Sequence, residues 1–551
     1  MIVLGLHGWG GTHDAAAALV VDGEVVACIE EERLNRRKHA LSDRPRLAAR
    51  GVLRHSGLCW DDVDVVSYGW NLPRYAPMHG QPWSFADDRE FLSSALEIRP
   101  SRWPRVEWVG HHDAHAAAGF HSSGFDQAAV LVVDGQGEGK SISLYSADAT
   151  GIHLLRDWPP CCSLGHLYEA ATRHCGFGFL QAGKTMGLAA YGRKPVAPLP
   201  LEWRDDDIES PVPDDLDEDA VVDAWRGILS QWYGPPCTPS RVGNSDVNGP
   251  AHSADVVASH HPDVAAAAQE AVERLLTSLV DYAQRATGYS HVVLAGGVAL
   301  NCVANGLVAR RCEAFFVPPM AHDAGAALGA AMVTAVRMGD RIRKFHGAAL
   351  GLAYGTAQCG AAIEANGLRA RRIDDPAAEA ARRLIAGEIV GWFQGRGEIG
   401  PRALGHRSIL ALPAPAENHR RVNVIKGRET WRPLAPSALA SETTWMFGRP
   451  VDSPYMLLSL PLADAGLARL PAVAHVDGST RVQTVAADAT SPYARLLGQI
   501  GDATGSSVVL NTSFNASFEP IVGTPVDAIR TFRNMGMDAL VLDHFVLDKS
   551  S

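Results

Sequence analysis

The sequence predicts an α/β protein whose first part is built from a duplicated unit and whose last part is a second α/β domain. Three observations predict it. A strand–turn–strand pattern occurs twice, near residues 2–32 and 128–148. Helical segments rich in small residues follow each copy. Composition then loosens around "HGAALGLAYGTAQCG" (346–360) before a basic region begins.

The elements follow in order. "IVLGL" (2–6) is an apolar strand, and "HGWGGTHD" is a glycine-rich turn. "AAAALVVDGEVVACIEEE" is a hairpin closed by Asp22-Gly23, a pair suited to two residues with positive φ. "AAVLVVDGQGEGKSISLYSAD" repeats the rhythm, with the histidine-bearing stretch "GHHDAHAAAGFH" (110–121) between the copies. From residue 193 to 262 periodicity fails and acids gather in "RDDDIESPVPDDLDEDA", which predicts a peripheral, solvated insertion. In "DVAAAAQEAVERLLTSLVDYAQRATG" (263–288), Val272, Leu275, Leu276, Leu279 and Val280 recur at helical spacing and Gly288 ends the helix. "HVVLAGGVALNCVANG" is a buried strand entering a Gly-Gly turn. "FFVPPMAHDAGAALGAAMVTA" gives a strand, a proline loop and a helix starting near Asp323. The expected domains are 1–347, with 193–262 inserted, and 348–551.

A chain of 551 residues exceeds one core. Its formal net charge of −11 argues against a nucleic-acid partner. "MIVLGLHGWGG" lacks a basic leader and is expected to be a first strand. No uncharged apolar run reaches the eighteen or so residues that span a bilayer. The nine cysteines form no CxxC pair, which fits a reducing cytosol and packing thiols. The expectation is a cytoplasmic enzyme.

His111 and His115 lie four apart, on one helical face, and can grip one metal ion. A solvated histidine turn has the same spacing. Asp134 and Asp323 each follow an apolar strand and supply the carboxylates, giving a shell of two nitrogens and two oxygens suited to Fe(II), Zn or Mn. Either aspartate could equally be a turn former or helix cap. Three glycine turns follow apolar strands: Gly8–Gly11 with His13 and Asp14, the turn containing Gly135, and Gly296-Gly297. Such turns let backbone N–H groups approach phosphate oxygens and match an actin-like nucleotide-binding cleft. His39, ending the basic run "RLNRRKH", is a candidate general base, because imidazole titrates near neutral pH. Lys184 in "QAGKTMGLAAYG" suits a phosphate contact. The later region interleaves Arg396, Arg402, Arg407, Arg420, Arg421, Lys426, Arg428 and Arg432 with Gly, Pro and apolar residues, a layout that holds guanidinium forks against a small anion. Arg481 and Asn511 stand where a ligand could be held.

These blocks carry a family likeness. "GWFQGRGEIGPRALGHRSIL", "IKGRETWRPLAPS", "HVDGSTRVQTV" and "LNTSFN", with "HDAAAALV", "HHDAHAAAGF", "VVDGQGEG", "SLGHLYEAAT", "KTMGLAAYG", "LAGGVALNCVANG" and "PPMAHDAGAALGAA", resemble the O-carbamoyltransferases of natural-product biosynthesis. Their relatives modify antibiotics and nodulation factors. The resemblance spans nearly the full length apart from the acidic insertion. It implies an actin-like ATPase (Kae1-like) N-terminal domain and a YrdC-like C-terminal domain. It implies carbamoyl adenylate made from carbamoyl phosphate and Mg-bound ATP, then transfer to a hydroxyl of a small molecule near a metal, Fe(II) in expectation. Carried over, His111, His115, Asp134 and Asp323 are the metal shell. Arg402, Arg432, Arg481 and Asn511 fall on carbamoyl-phosphate motifs, and Arg407, Lys426 and Arg428 stand with them. Gly135, Gly165, Lys184, Gly296, Gly297 and Asn301 face the adenylate. His13, Asp14 and His39 flank the acceptor, which loops 70–100 and 193–262 would select. No nucleic acid or membrane is expected as partner, and a homodimer is left open. A tRNA-modifying or hydrogenase-maturation relative would use the same adenylate chemistry, but would want a basic face, or zinc fingers and an acylphosphatase-like segment. An inactive nucleotide-binding partner protein is the third reading. One departure stands out: Phe518 replaces the glycine that relatives carry before Glu519-Pro520, at a cost of about 1–2 kcal/mol if that position needs positive φ.

Overall fold

The computed structural model describes all residues except 79–82, 194, 196, 238–256, 258–260, 346, 488–489 and 550–551. Parts of both expected acceptor loops, 79–82 and most of 238–260, therefore lie outside the described residues. The chain forms two compact units: residues 1–171, 196–232 and 268–352, and residues 172–195, 233–267 and 353–551.

The first unit contains the predicted duplication. β1 (Ile2–His7), β2 (Ala16–Val21), β3 (Glu24–Glu30), β4 (Val65–Tyr68) and β5 (Arg105–Trp108) form one sheet in the order β3-β2-β1-β4-β5. β1 to β3 run antiparallel, whereas β4 and β5 run parallel to β1. A second sheet repeats the order with β6 (Ala128–Gly137), β7 (Lys140–Asp148), β8 (Gly151–Trp158) and the strands His291–Ala295 and Ala314–Phe316. Again the first three are antiparallel and the last two parallel to the first. This is the duplicated actin-like arrangement expected from the sequence. Asp22 and Gly23 have φ of 48° and 76°, and Glu138 and Gly139 have 55° and 82°, so both hairpins turn through paired left-handed residues.

Two helices made mostly of small residues lie between these sheets. Ala324–Arg337 packs on β1, β2 and β4, and His111–Ser123 packs on β6 and His291–Ala295. The two helices also pack on each other. Glycine permits the approach: a Cβ at Gly329 would sit 1.7 Å from the Ala114 carbonyl oxygen, and one at Gly5 would sit 1.9 Å from that of Ala327. Backbones this close bring the start of one helix beside the first turn of the other, which sets up the site. The predicted amphipathic helix spans Pro262–Thr287, with Val272, Leu275, Leu276, Leu279 and Val280 fully buried and Gly288 left-handed after it.

The second unit holds a mixed eight-stranded sheet, with Val390–Phe393 and Arg407–Ala411 near its centre. Its strands alternate faces. Val390, Trp392, Leu410, Val509 and Val541 pack on the helices Pro376–Ile385 and Pro492–Thr504 through Leu384, Leu496 and Leu497. Phe393, Ile409, Leu510, Leu540 and Leu542 face Ile529 and Phe532 of the helix Pro525–Asn534. Phe518 is not among the residues with positive φ, and its ring is 74% exposed. The loop therefore accepts phenylalanine without the left-handed strain considered above.

Candidate metal and anion sites

Four side chains from separate parts of the first unit converge. His111 and His115 lie one turn apart in the helix His111–Ser123, Asp134 lies within β6, and Asp323 precedes the helix Ala324–Arg337. All four are buried, and their donor atoms lie within 4.8 Å of one another. The two Nε2 atoms are 3.2 Å apart. Each is 3.4 Å from Asp134 Oδ2 and 3.6 Å from Asp323 Oδ1. The capping alternative for Asp323 is removed, because its side chain caps no helix N–H. Asp134 divides its two oxygens: Oδ1 accepts from the N–H groups of Gly135 (2.8 Å) and Gly297 (3.1 Å), and Oδ2 is buried without a hydrogen-bond partner.

These donors fit a divalent cation. The Nδ1 of His111 lies 3.2 Å from the Gly69 carbonyl, so a proton on Nδ1 leaves the Nε2 lone pair directed inward. With neutral imidazoles the buried quartet carries two negative charges, which a divalent ion cancels. Without one, protons take that place. Burial alone would lower the pKa of His111, but Asp323 and Asp134 outweigh it and hold it up at about 10. Burial opposes ionisation of Asp134 as well, yet His111 and His115 hold its carboxyl well below the usual range.

The glycines expected around a nucleotide serve this centre. The N–H groups of Gly135 and Gly297 are directed at Asp134. Gly296 has φ of 89°, and a Cβ there would meet the Val133 carbonyl at 2.4 Å. A Cβ at Gly165 would lie 2.7 Å from the backbone of Gly135. Asn301 caps the helix Cys302–Val308 by accepting from Ala304 N–H and pairs with Gln269.

Beside the quartet, Asp14 joins two histidines. Its Oδ2 is 3.0 Å from His13 Nδ1 and its Oδ1 is 3.1 Å from His39 Nδ1. Asp14 and His39 both have positive φ, 53° and 62°, a costly backbone for such residues. The His39 N–H donates to Glu32. His13 and His39 remain about a third exposed. His7, Glu32, Trp70 and His322 were missed by the sequence reading. His322 directly precedes Asp323, and His7 ends β1. The acidic insertion touches the second hairpin at the surface, where Glu218 accepts from the Gln136 amide at 2.7 Å. Lone residues in strands and acid runs gave no signal for these contacts.

Nearby, Glu31 is buried and accepts from the N–H groups of Leu47 and Ala48. Burial pushes its carboxyl up to about 7, the two N–H groups offsetting only part. Folded protein therefore keeps this proton where the unfolded chain has lost it. The contribution of Glu31 to stability is full below about pH 4.5 and is lost as pH rises through 7, on the order of 3 kcal/mol in total. Denaturant titrations from pH 5 to 8 should show a shallower decline for Glu31→Gln than for the parent; equal slopes would refute this.

In the second unit, Lys184 Nζ lies 2.7 Å from Glu429 Oε1, and Arg432 lies 3.9 Å from Glu429 Oε2. Burial, then the charges of Arg432 and Arg481, push Arg428 well below the usual guanidinium range. Nη2 of Arg428 and Nε of Arg481 are buried without hydrogen-bond partners. Mutually repelling guanidinium groups with unused N–H atoms suit an anion. Other expected contacts are used inside the protein. The Asn511 amide donates to Ala403 O, Ser437 Oγ and Gln483 Oε1, and Gln483 donates to Leu404 O, so this network pins the turn beside Arg402. Lys426 Nζ donates to the Asn515 carbonyl and side chain. Arg407 donates to the carbonyls of Gln394 and Gly395 and stacks 3.6 Å from the Phe393 ring centroid.

Residues 85–197 and 247–332 match the family described as carbamoyltransferase N-terminus, and residues 381–549 match carbamoyltransferase C-terminus. Nodulation protein NolNO of Sinorhizobium fredii is 34% identical over 98% of this chain and 79% of its own length. The 3'-hydroxymethylcephem-O-carbamoyltransferase of Amycolatopsis lactamdurans is 31% identical over 66% of this chain and 64% of its own. Full-length HypF in its phosphate- and nucleotide-bound form aligns with a TM-score of 0.35 at 11% identity, over 62% of this chain and 56% of that one.

Proposed function

This chain belongs to the carbamoyltransferase family, and from that premise we propose that it is an ATP-dependent O-carbamoyltransferase acting on a small natural product, as in antibiotic biosynthesis. Carbamoyl phosphate, ATP and one water give carbamoyl adenylate with release of inorganic phosphate and pyrophosphate, and the acceptor hydroxyl then displaces AMP. A carbamoyl carbon is a poor electrophile, and the mixed anhydride with AMP supplies the better leaving group.

The observation that carries this reading is the buried His111–His115–Asp134–Asp323 quartet in a chain of this family. A divalent ion there, Fe(II) in our reading, would offset negative charge developing on the carbamoyl oxygen. The chain's own residues would do the rest. Asp14 holds His13 and His39 in orientation, and one imidazole accepts the proton of the acceptor hydroxyl. Gly135 and Gly297 hold Asp134 through their N–H groups, and Gly165 and Gly296 allow the close backbone packing that shapes the floor on which the acyl nucleotide would rest. In the second unit, Lys184, Arg402, Arg428, Arg432 and Arg481 hold the phosphates, while Arg407, Lys426 and Asn511 keep the surrounding loops in place. Among the described residues no helix is long and apolar enough to cross a membrane.

The test is direct. Purified protein given Mg-ATP and carbamoyl phosphate should release pyrophosphate, and an acceptor screen by mass spectrometry should find one added carbamoyl group. No pyrophosphate under these conditions would favour an inactive nucleotide-binding protein instead.

A further inference from the structure

His7 has no part in the assignments above. It ends β1 with its side chain fully buried. Its ring centroid lies 5.5 Å from that of His111 and 6.0 Å from that of Trp70. Neither ring nitrogen has a hydrogen-bond partner. Its nearest charged atom is Asp323 Oδ2, 3.4 Å from Nε2. A buried imidazole with both nitrogens unsatisfied is unfavourable. An apolar ring would fill the same space between Trp70 and His111 without that penalty, so packing does not explain the residue.

Asp323 does. Its Oδ1 faces Nε2 of both His111 and His115, and its Oδ2 faces His7 and, at 3.8 Å, His13. The carboxylate thus has one oxygen toward the cation donors and one toward His7. We propose that His7 is a positioning residue for Asp323: an N–H at Nε2, 3.4 Å from Oδ2, attracts that oxygen electrostatically and so keeps Oδ1 turned toward the cation. The proposal rests on the reading that the quartet holds a divalent ion. It adds a role outside the four ligands, of the kind by which neighbours of metal-bound carboxylates tune affinity.

The experiment uses the full-length chain, stripped with chelator and titrated with Mn(II), an ion that prefers nitrogen and oxygen donors to thiols. Free Mn(II) is followed by electron paramagnetic resonance, with melting temperature recorded before and after titration. His7→Phe keeps the ring and removes the donor, and His7→Gln restores an N–H. Phe should bind Mn(II) roughly 10- to 100-fold more weakly than the parent, Gln should recover most of that loss, and the metal-free melting temperature of the Phe variant should equal or exceed the parent's. Binding by His7→Phe as tight as the parent's would overturn the proposal alone. So would equal losses in both variants together with a lowered metal-free melting temperature, which mark a purely structural histidine. A parent protein that takes up no Mn(II) would overturn the metal reading and this proposal with it.

Discussion

His115→Ala is expected to abolish tight binding of a divalent ion and to slow carbamoyl transfer by roughly 10²–10³, the usual cost of losing one preorganised electrostatic contact. Pyrophosphate release should stay within about threefold of the parent. His115 is 1% exposed and faces both Asp134 and Asp323. Without it the two carboxylates keep a single imidazole, and a buried ion loses one of four donors. The carboxyls then take up protons more readily, which competes further with the cation. The residues proposed to form the adenylate lie in the second unit and are untouched. Metal content of the purified variant, carbamoylated product and pyrophosphate are measured in parallel. His115→Gln serves as a second variant that refills the space. Full transfer by either variant in the absence of bound ion would remove the quartet from the chemistry.

The way this site is assembled explains how much of it was legible beforehand. The i, i+4 spacing of His111 and His115 shows in the sequence because a helix converts spacing into a shared face. Asp134 and Asp323 were legible as acids that follow apolar runs, although Asp134 lies within β6 and Asp323 stands in the loop between the strand Ala314–Phe316 and the helix Ala324–Arg337. Their meeting depends on helix approach through Gly5 and Gly329, which only coordinates display. The duplicated sheets were legible for a similar reason: hairpin turns such as Asp22-Gly23 are local chemistry. His7 was not, because a histidine ending an apolar strand carries no periodic signal. Glu218 lies in the acid run that composition assigns to solvent, and it is exposed there, but its single contact with Gln136 carries no signal in the sequence. Asn511, Lys426 and Arg407 stand in motifs whose residue types signal a ligand, and the hydrogen bonds they make inside the protein were not legible there. Their partners, Ala403, Asn515 and Gln394, are main-chain or side-chain oxygens distant in sequence.

Opposite signs on stability and on affinity should mark the arginines of the second unit. Arg481 adds to the repulsion that lowers Arg428 and Arg432, and its Nε is buried without a partner. In the unliganded protein its charge is therefore a burden, and in the liganded protein it becomes a charge-assisted hydrogen bond. Arg481→Met keeps the aliphatic stem and removes the charge. Its melting temperature without ligand should equal or exceed the parent's, while the KM for carbamoyl phosphate in pyrophosphate release should rise roughly 10- to 150-fold, the equivalent of about 1.5–3 kcal/mol for a hydrogen bond to a charged group. A structural arginine would show the reverse, a lowered melting temperature with KM unchanged. Arg402→Ala extends the test to the turn that Asn511 and Gln483 pin. If it releases pyrophosphate at the parent rate while folded, adenylate formation does not belong to this cluster. Added carbamoyl phosphate should also raise the parent's melting temperature more than that of Arg481→Met, because the parent relieves more repulsion on binding the anion and binds it more tightly.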